Sequence, residues 1–294
     1  MKNIICFGEV LWDQLPSGKK LGGAPLNVAL RAQSFGHKTA VISSIGNDSI
    51  GEELILAMKQ HNAELSHIQT SKNFATSEVL VHLNEKGSAS YEIKMPCAWD
   101  DIERSEKDTE AVKNSDAFIY GSLTARSEKS RNTLFGLLEQ APFKVFDVNL
   151  RPPHYTQERL MQLMQHADFI KFNDEEIIEI CGNMGAKEQK VENCMKYIAK
   201  QTNTAKICVT CGKHGAVLLN DGKLVYNKGY TVTVADTVGS GDSFLAALIS
   251  KLLENAAPQE AIDFACAIGA LVASKKGAND PISQTEIAAL MQAI

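Results

Sequence analysis

Two hydrophobic rhythms alternate along this chain. Residues 4–7, Ile-Ile-Cys-Phe, are a short continuous apolar run of the kind a buried strand carries. Residues 25–35 repeat apolar positions at helical spacing, with Pro25 in the first turn and Gly36 just past the end. A strand over 39–45 and a helix over 51–61 repeat the unit. After Met95 the rhythm resumes, with strands predicted at 117–120, 144–148, 169–172 and 206–210 and helices at 129–140, 157–165, 174–181 and 188–200. Such alternation implies an α/β fold: a doubly wound, mostly parallel sheet flanked by helices.

Three stretches depart from it. Over 76–95, the runs S-E-V-L-V-H-L and S-A-S-Y-E-I-K-M flank the turn residues N-E-K-G and read as an inserted hairpin. With residues 11–21 it is expected to form a small sheet over the strand ends, either a lid on a ligand site or surface decoration. A second hairpin, A-V-L-L-N-D-G-K-L-V-Y, turns at Asp221-Gly222. A β-rich run over 230–234 then leads as a strand into a glycine turn, and helices over 243–255, 258–274 and 283–293 close the chain. With no linker, repeat or domain boundary in view, residues 1–294 read as one domain.

Composition sets limits. The chain is 44% hydrophobic and 22% charged with a net charge of -5, ordinary for a globular protein and unsuited to nucleic acid as the main partner. Seven scattered cysteines do not resemble a disulfide framework and point to a reducing, cytoplasmic setting. Cys208 and Cys211 form a C-x-x-C without a second pair at zinc spacing. Glu9 and Asp13 interrupt the apolar N-terminus, so it reads as a strand and not a signal peptide, and no run approaches the ~20 residues that span a bilayer.

The chemistry collects around D-T-V-G-S-G-D, Asp236 to Asp242. A glycine turn that opens a helix leaves backbone N–H groups and partial positive charge facing outward, which suits an anion. A resting phosphate would be repelled by Asp242. A carboxylate that takes a proton while the amides hold a phosphoryl group in flight makes sense there, although a plain capped helix start uses the same residues. Gly22 and Gly23 precede Asn27 at the mouth of the first predicted helix, where close backbone approach and an amide suit a polyol. Asp13 follows the first strand, where open α/β sheets collect ligands. Asn173 and Glu176, in N-D-E-E, suit a hydrated magnesium ion or simply a helix start.

Two common nucleotide motifs are absent. Near Gly46 to Gly51 a phosphate loop would need Lys where Glu52 stands, and the dinucleotide fingerprint fails at Phe244. The pair G-G-A-P-L-N-V-A and D-T-V-G-S-G-D-S-F, with N-x-x-E at Asn173 and T-C-G-K-H-G-A from Thr210, resembles the ribokinase-like (PfkB) carbohydrate kinases over essentially the whole chain. D-V-N-L-R-P-P from Asp147 looks most like fructokinases, with Val148 where relatives often carry Pro and Tyr155 where many have Trp.

The resemblance implies that Asp242 is the base, with Gly239, Ser240 and Gly241 as the anion hole. It implies that Asp13, Gly22, Gly23 and Asn27 bind the sugar, and that Arg151 meets either the sugar or the phosphate. Thr210, Gly212, Gly215, Lys276, Gly277 and Ala278 would line the ATP site together with Asn173. Asn173 and Glu176 would organise Mg²⁺ through water, and Asp236 a monovalent cation, usually K⁺. Trp99 either closes the sugar site from the lid side or is packing. The implied activity is ATP-dependent phosphorylation of a sugar, foremost fructose, with 2-keto-3-deoxygluconate or ribose as alternative acceptors. A non-catalytic sugar or nucleotide sensor is the alternative of another class, and a homodimer through the lid edges is an expected assembly.

Overall fold

The computed structural model describes residues 1–15, 18–83, 89–187 and 190–292. The chain opens with strands β1 (Asn3–Phe7), β2 (Leu11–Leu15) and β3 (Gly18–Gly22), helix α1 (Ala24–Ser34), strand β4 (Lys38–Gly46) and helix α2 (Ser49–Gln60). Strands β5 (Ile68–Ser71), β6 (Glu78–Leu83) and β7 (Ala89–Ile93) precede α3 (Glu106–Lys113), β8 (Ala117–Gly121), α4 (Glu128–Leu138), β9 (Lys144–Asp147) and α5 (Gln157–Gln165). Next come β10 (Phe169–Asn173), α6 (Asp174–Asn183), α7 (Val191–Thr202), β11 (Lys206–Thr210) and the hairpin β12 (Ala216–Asn220) and β13 (Lys223–Asn227). Helices α8 (Ser240–Leu253), α9 (Pro258–Ala273) and α10 (Gln284–Gln292) follow.

The main sheet has the order β13-β12-β11-β10-β9-β8-β1-β4-β5. Neighbours from β11 to β5 run parallel, and β12 and β13 add an antiparallel edge. The chain builds outward from β1 to β4 and β5, then crosses to β8 and builds the other way. Connections leaving β1 and β8 therefore diverge, which opens a crevice at the carboxyl ends of the central strands.

Side-chain alternation assigns the two faces. Ile4 and Cys6 of β1 enter the core under α1, α8 and α9, whereas Ile5 and Phe7 enter the core under α4, α5, α6 and α7. Burial on both faces is why these strands read as unbroken apolar runs.

A second sheet, β3-β2-β6-β7, joins the two segments expected to form it, with β2 parallel to β6 and antiparallel to β3. The turn expected over 84–87 lies outside the described residues, as do the first residues of the helix expected from 188 and the last of the one ending at 293.

Several expectations change. Residues 230–234 form no strand: the run is largely exposed, with Val234 60% accessible, and β-branched residues make a strand only beside a partner edge. Helix α8 begins at Ser240, three residues earlier than its apolar pattern, so Gly241 and Asp242 stand in its first turn. Strand β5 and helix α3 were not visible in the pattern, being short and polar. Trp99 is fully buried beneath α4, with the Arg126 guanidinium 3.9 Å from its ring centroid, so it is packing and does not close the site.

Candidate active site

Gly239 takes a left-handed conformation (φ 76) immediately before α8. A Cβ there would overlap Ala278, so glycine is required both by the turn and by this contact. No side chain caps the helix; the Ser240 N–H donates to the Thr237 carbonyl at 3.2 Å, and the N–H groups of Gly241 and Asp242 in the same turn have no carbonyl one turn back within the helix. Ser240 fastens the turn to α9 by donating its hydroxyl to the Gly269 carbonyl at 2.9 Å.

Asp242 rises from that first turn. Its Oδ2 accepts from Asn27 Nδ2 at 2.8 Å, and Asn27 Oδ1 accepts from Asn279 Nδ2 at 3.0 Å. Burial, followed by repulsion from Asp147, pushes the Asp242 carboxyl up to about 6, against the pull of Asn27, Lys171 and Arg151. Asp13, on β2, is pushed up to about 6 by burial and then by Asp242, while Arg151 and Lys20 pull it down. The Asp13 and Asp242 carboxyls therefore sense each other, and nearby cations offset part of the repulsion.

The glycine pair serves this crowding. A Cβ on Gly22 would overlap the Asp13 carboxylate, and Gly23 (φ 109) brings its Cα against the Glu9 carbonyl. Glu9 is itself buried, accepts from Thr124 Oγ1 at 2.9 Å, and is pushed up by burial. The Arg151 charge pulls against the rise of Asp13, Asp242 and Glu9, and its Nη1 donates to the Leu150 carbonyl at 2.9 Å.

Beneath α8 lies a charge pair absent from the sequence reading. Lys171 and Asp147 are register partners on β10 and β9, on the same sheet face as Phe169 and Val145, toward α8. Lys171 Nζ donates to Asp147 Oδ1 at 2.9 Å, with both side chains buried. The same Nζ stands 3.3 Å from where a Gly241 side chain would begin, so an ammonium underlies the candidate anion hole. Burial opposes its charge, yet Asp147 and Glu176 raise its pKa above the ordinary lysine value and keep it protonated. A charged residue inside each of two apolar strands was the signal available for both.

Asn173 and Glu176 form a capping box. Asn173 Oδ1 accepts from the Glu176 N–H at 2.7 Å, and Glu176 Oε2 accepts from the Asn173 N–H at 2.8 Å. Glu176 Oε1 also accepts from the Leu150 N–H at 2.8 Å, so this carboxylate fastens the 148–151 segment to α6. The helix-start reading of N-x-x-E is realised, and a hydrated cation would meet Glu176 through its remaining lone pairs.

The residues expected on the nucleotide side fall into two groups. Thr210 ends β11 and donates to the Phe172 carbonyl at 3.3 Å; Gly212 (φ 53) follows, and Gly215 (φ 85) is held to glycine by the Asn227 carbonyl against it. Lys276, Gly277 and Ala278 lie against the turn before α8. The Lys276 carbonyl accepts from Lys20 at 2.6 Å and the Ala278 carbonyl from Arg31 at 2.9 Å. Asp236 accepts from the Val238 N–H at 3.0 Å and from Lys20 Nζ at 3.2 Å.

The profile of the pfkB family carbohydrate kinases matches residues 4–285. The chain belongs to this pfkB family. Fructokinase-2 of Solanum lycopersicum is 27% identical over 94% of this chain and 91% of its own length. The fructokinase of Escherichia coli is 28% identical over 92% of this chain and 93% of its own. A solved fructokinase from Vibrio cholerae O395, in a fructose, ADP and calcium ion bound form, shares the fold with a TM-score of 0.86 at 24% identity, covering 99% of both chains. For a pfkB carbohydrate kinase, a carboxyl, a helix N-terminus and a buried ammonium meeting at one turn have a common chemical use. Phosphoryl transfer to a hydroxyl can draw on each of them.

Proposed function

We propose that this pfkB kinase transfers the γ-phosphoryl group of ATP to a hydroxyl of fructose, forming fructose 6-phosphate. The observation that carries the transfer is Asp242, a carboxyl pushed up to about 6 in the uncapped first turn of α8. Fructose is favoured by the two curated relatives described above, both named as fructokinases. In this reading the sugar oxygen attacks the γ-phosphorus, its proton passes to Asp242, the bond to the β–γ bridging oxygen breaks, and ADP leaves. The first-turn N–H groups around Gly239, Ser240 and Gly241, with the Lys171 ammonium beneath, stabilise the charge that spreads over the transferring oxygens.

Asp13 and Asn27 bind sugar hydroxyls, and the Gly22-Gly23 pair shapes that wall. Arg151 bridges sugar and phosphate sides. Thr210, Gly212, Gly215 and the segment Lys276 to Ala278 line the nucleotide site.

Asn173 and Glu176 suit Mg²⁺ held through water, and Asp147 Oδ2, buried with no hydrogen-bond partner, is a further hard acceptor beside them. When bound, the ion neutralises phosphate charge; positioning the groups around it falls to the chain. The small sheet covers the site as a lid, and its edge strands β3 and β7 join two copies as a dimer. All seven cysteines are free, which suits a cytoplasmic protein.

ADP release measured with Mg-ATP and a panel of fructose, ribose and 2-keto-3-deoxygluconate tests the reading. Fructose is expected to lead in kcat/KM by at least ~10-fold. Absence of ADP formation with every sugar sinks the kinase reading, and a lead by another sugar moves the acceptor. Asp13→Ala is expected to raise the KM for fructose by roughly 10–100-fold, the worth of a hydrogen bond to a charged group, with the KM for ATP within about 2-fold. Equal rises in both constants in steady-state assays would take Asp13 off the sugar.

A further inference from the structure

Lys20 reaches out of the small sheet into the turn that carries the reaction. Its Nζ donates to Asp236 Oδ2 at 3.2 Å and to the Lys276 carbonyl at 2.6 Å, partners 216 and 256 residues away in the chain. Those partners belong to the two segments that shape the start of α8. Asp236 holds the turn by accepting from the Val238 N–H, and Ala278, two residues beyond Lys276, packs against Gly239. The second half of the same segment is gripped from α1, where Arg31 Nη2 donates to the carbonyls of Ala278 and Asp280. The Lys20 ammonium thus sits where a free cation would, on a carboxylate and a carbonyl. The ammonium already occupies both the carboxylate and the carbonyl, and a second cation beside it would meet like-charge repulsion, so a mobile monovalent ion does not fit the arrangement.

We propose that the Lys20 ammonium is a tethered cation that does for the Asp236 turn what a bound potassium ion would do. An ammonium and a potassium ion are alike in charge and similar in size, and Lys supplies three rotatable donors on a flexible stem. Lys20 also faces Asp13 across the β2–β3 pair, which places its single charge near the carboxylates of Asp13 and Asp236. Because the stem belongs to β3, the charge that shapes the turn arrives with the small sheet. Lys20 is therefore a positioning residue that acts through Asp236 and Lys276. Its effect on rate rests on the kinase reading above, whereas its effect on cation binding does not.

The test compares the unmodified protein, Lys20→Met and the neighbouring Lys19→Met in potassium, ammonium, methylammonium or N-methylglucamine chloride at constant ionic strength. Two readouts are taken: turnover of the best sugar in the panel, and the melting temperature without substrates. The unmodified protein and Lys19→Met are expected to turn over within about 2-fold in all four salts, with melting temperatures that do not respond to the small cation. Lys20→Met is expected to lose at least ~10-fold in kcat in N-methylglucamine, to recover saturably with potassium, ammonium or methylammonium, and to gain a potassium-dependent rise in melting temperature. Saturable potassium activation of the unmodified protein by ~10-fold overturns the proposal, as does a Lys20→Met protein that behaves like its parent in every salt. If no sugar is phosphorylated, the melting curves still decide whether removing Lys20 creates a cation site.

Discussion

Asp242→Asn is expected to fold, bind both substrates and lose at least ~10²-fold in kcat, the lower end for loss of a positioned general base. The substitution keeps an acceptor for the Asn27 amide, which now donates to Asp242 Oδ2 at 2.8 Å, so the α1–α8 contact survives. What disappears is the proton acceptor. Stability supplies an internal control. The Asp242 carboxyl titrates at about 6 in the fold against an ordinary value of 3.8, so the folded state holds its proton more tightly than the unfolded chain. Its stabilising contribution is full below the ordinary value and is lost as pH rises through about 6. At pH 8 the ionised, buried carboxylate is a burden on the fold, and the permanently neutral Asn relieves it. The melting temperature of Asp242→Asn at pH 8 is therefore expected to match or exceed the parent's. The parent's kcat/KM should fall about tenfold per unit as pH drops below about 6, and Asp13→Asn, by removing a repelling charge, should move that limb to lower pH. A folded Asp242→Asn protein with parental turnover removes Asp242 from the chemistry.

Much of the fold that positions this turn is legible in the sequence, because the features that mark it are local. The apolar runs of β1 and β8 are continuous since both sheet faces are covered, and the alternation of such runs with helical segments announces a parallel sheet. Gly239 and the Gly22-Gly23 pair stand out because each performs something no other residue can in its backbone setting. Their reason was only half visible. Gly22 makes room for the Asp13 carboxylate and Gly23 for the Glu9 carbonyl, contacts between segments whose approach the sequence does not state. Residues 230–234 mislead in the opposite sense, since β-branched composition describes a surface that fits a sheet, and among the described residues they pair with no strand. Glu176 was read for its charge, but its two oxygens accept backbone N–H groups of Asn173 and Leu150, a use that depends on where the 148–151 segment runs. Lys20, likewise, looks like one more surface lysine until Asp236 and Lys276 are brought to it.

Lys171→Met is expected to lower kcat by about 10²–10³-fold, the range for removing one preorganised charge-stabilising donor. The same substitution strands Asp147 in a buried site, and breaking a buried ion pair by removing one partner costs about 3–5 kcal/mol. Loss of rate and loss of fold therefore arrive together and have to be separated. Asp147→Asn/Lys171→Met, which removes the stranded charge as well, is expected to regain most of that stability in urea unfolding, because two neutral groups replace the pair. Its kcat is expected to stay low. The ammonium lies against Gly241 in the first turn of α8, and no residue of the double variant restores positive charge there. If the double variant regains rate along with stability, Lys171 serves only to neutralise Asp147. If rate stays well below that of Asp147→Asn alone while unfolding returns to normal, the charge beneath the anion hole acts on the phosphoryl group itself, and the catalytic turn depends on a strand residue as much as on its own glycines.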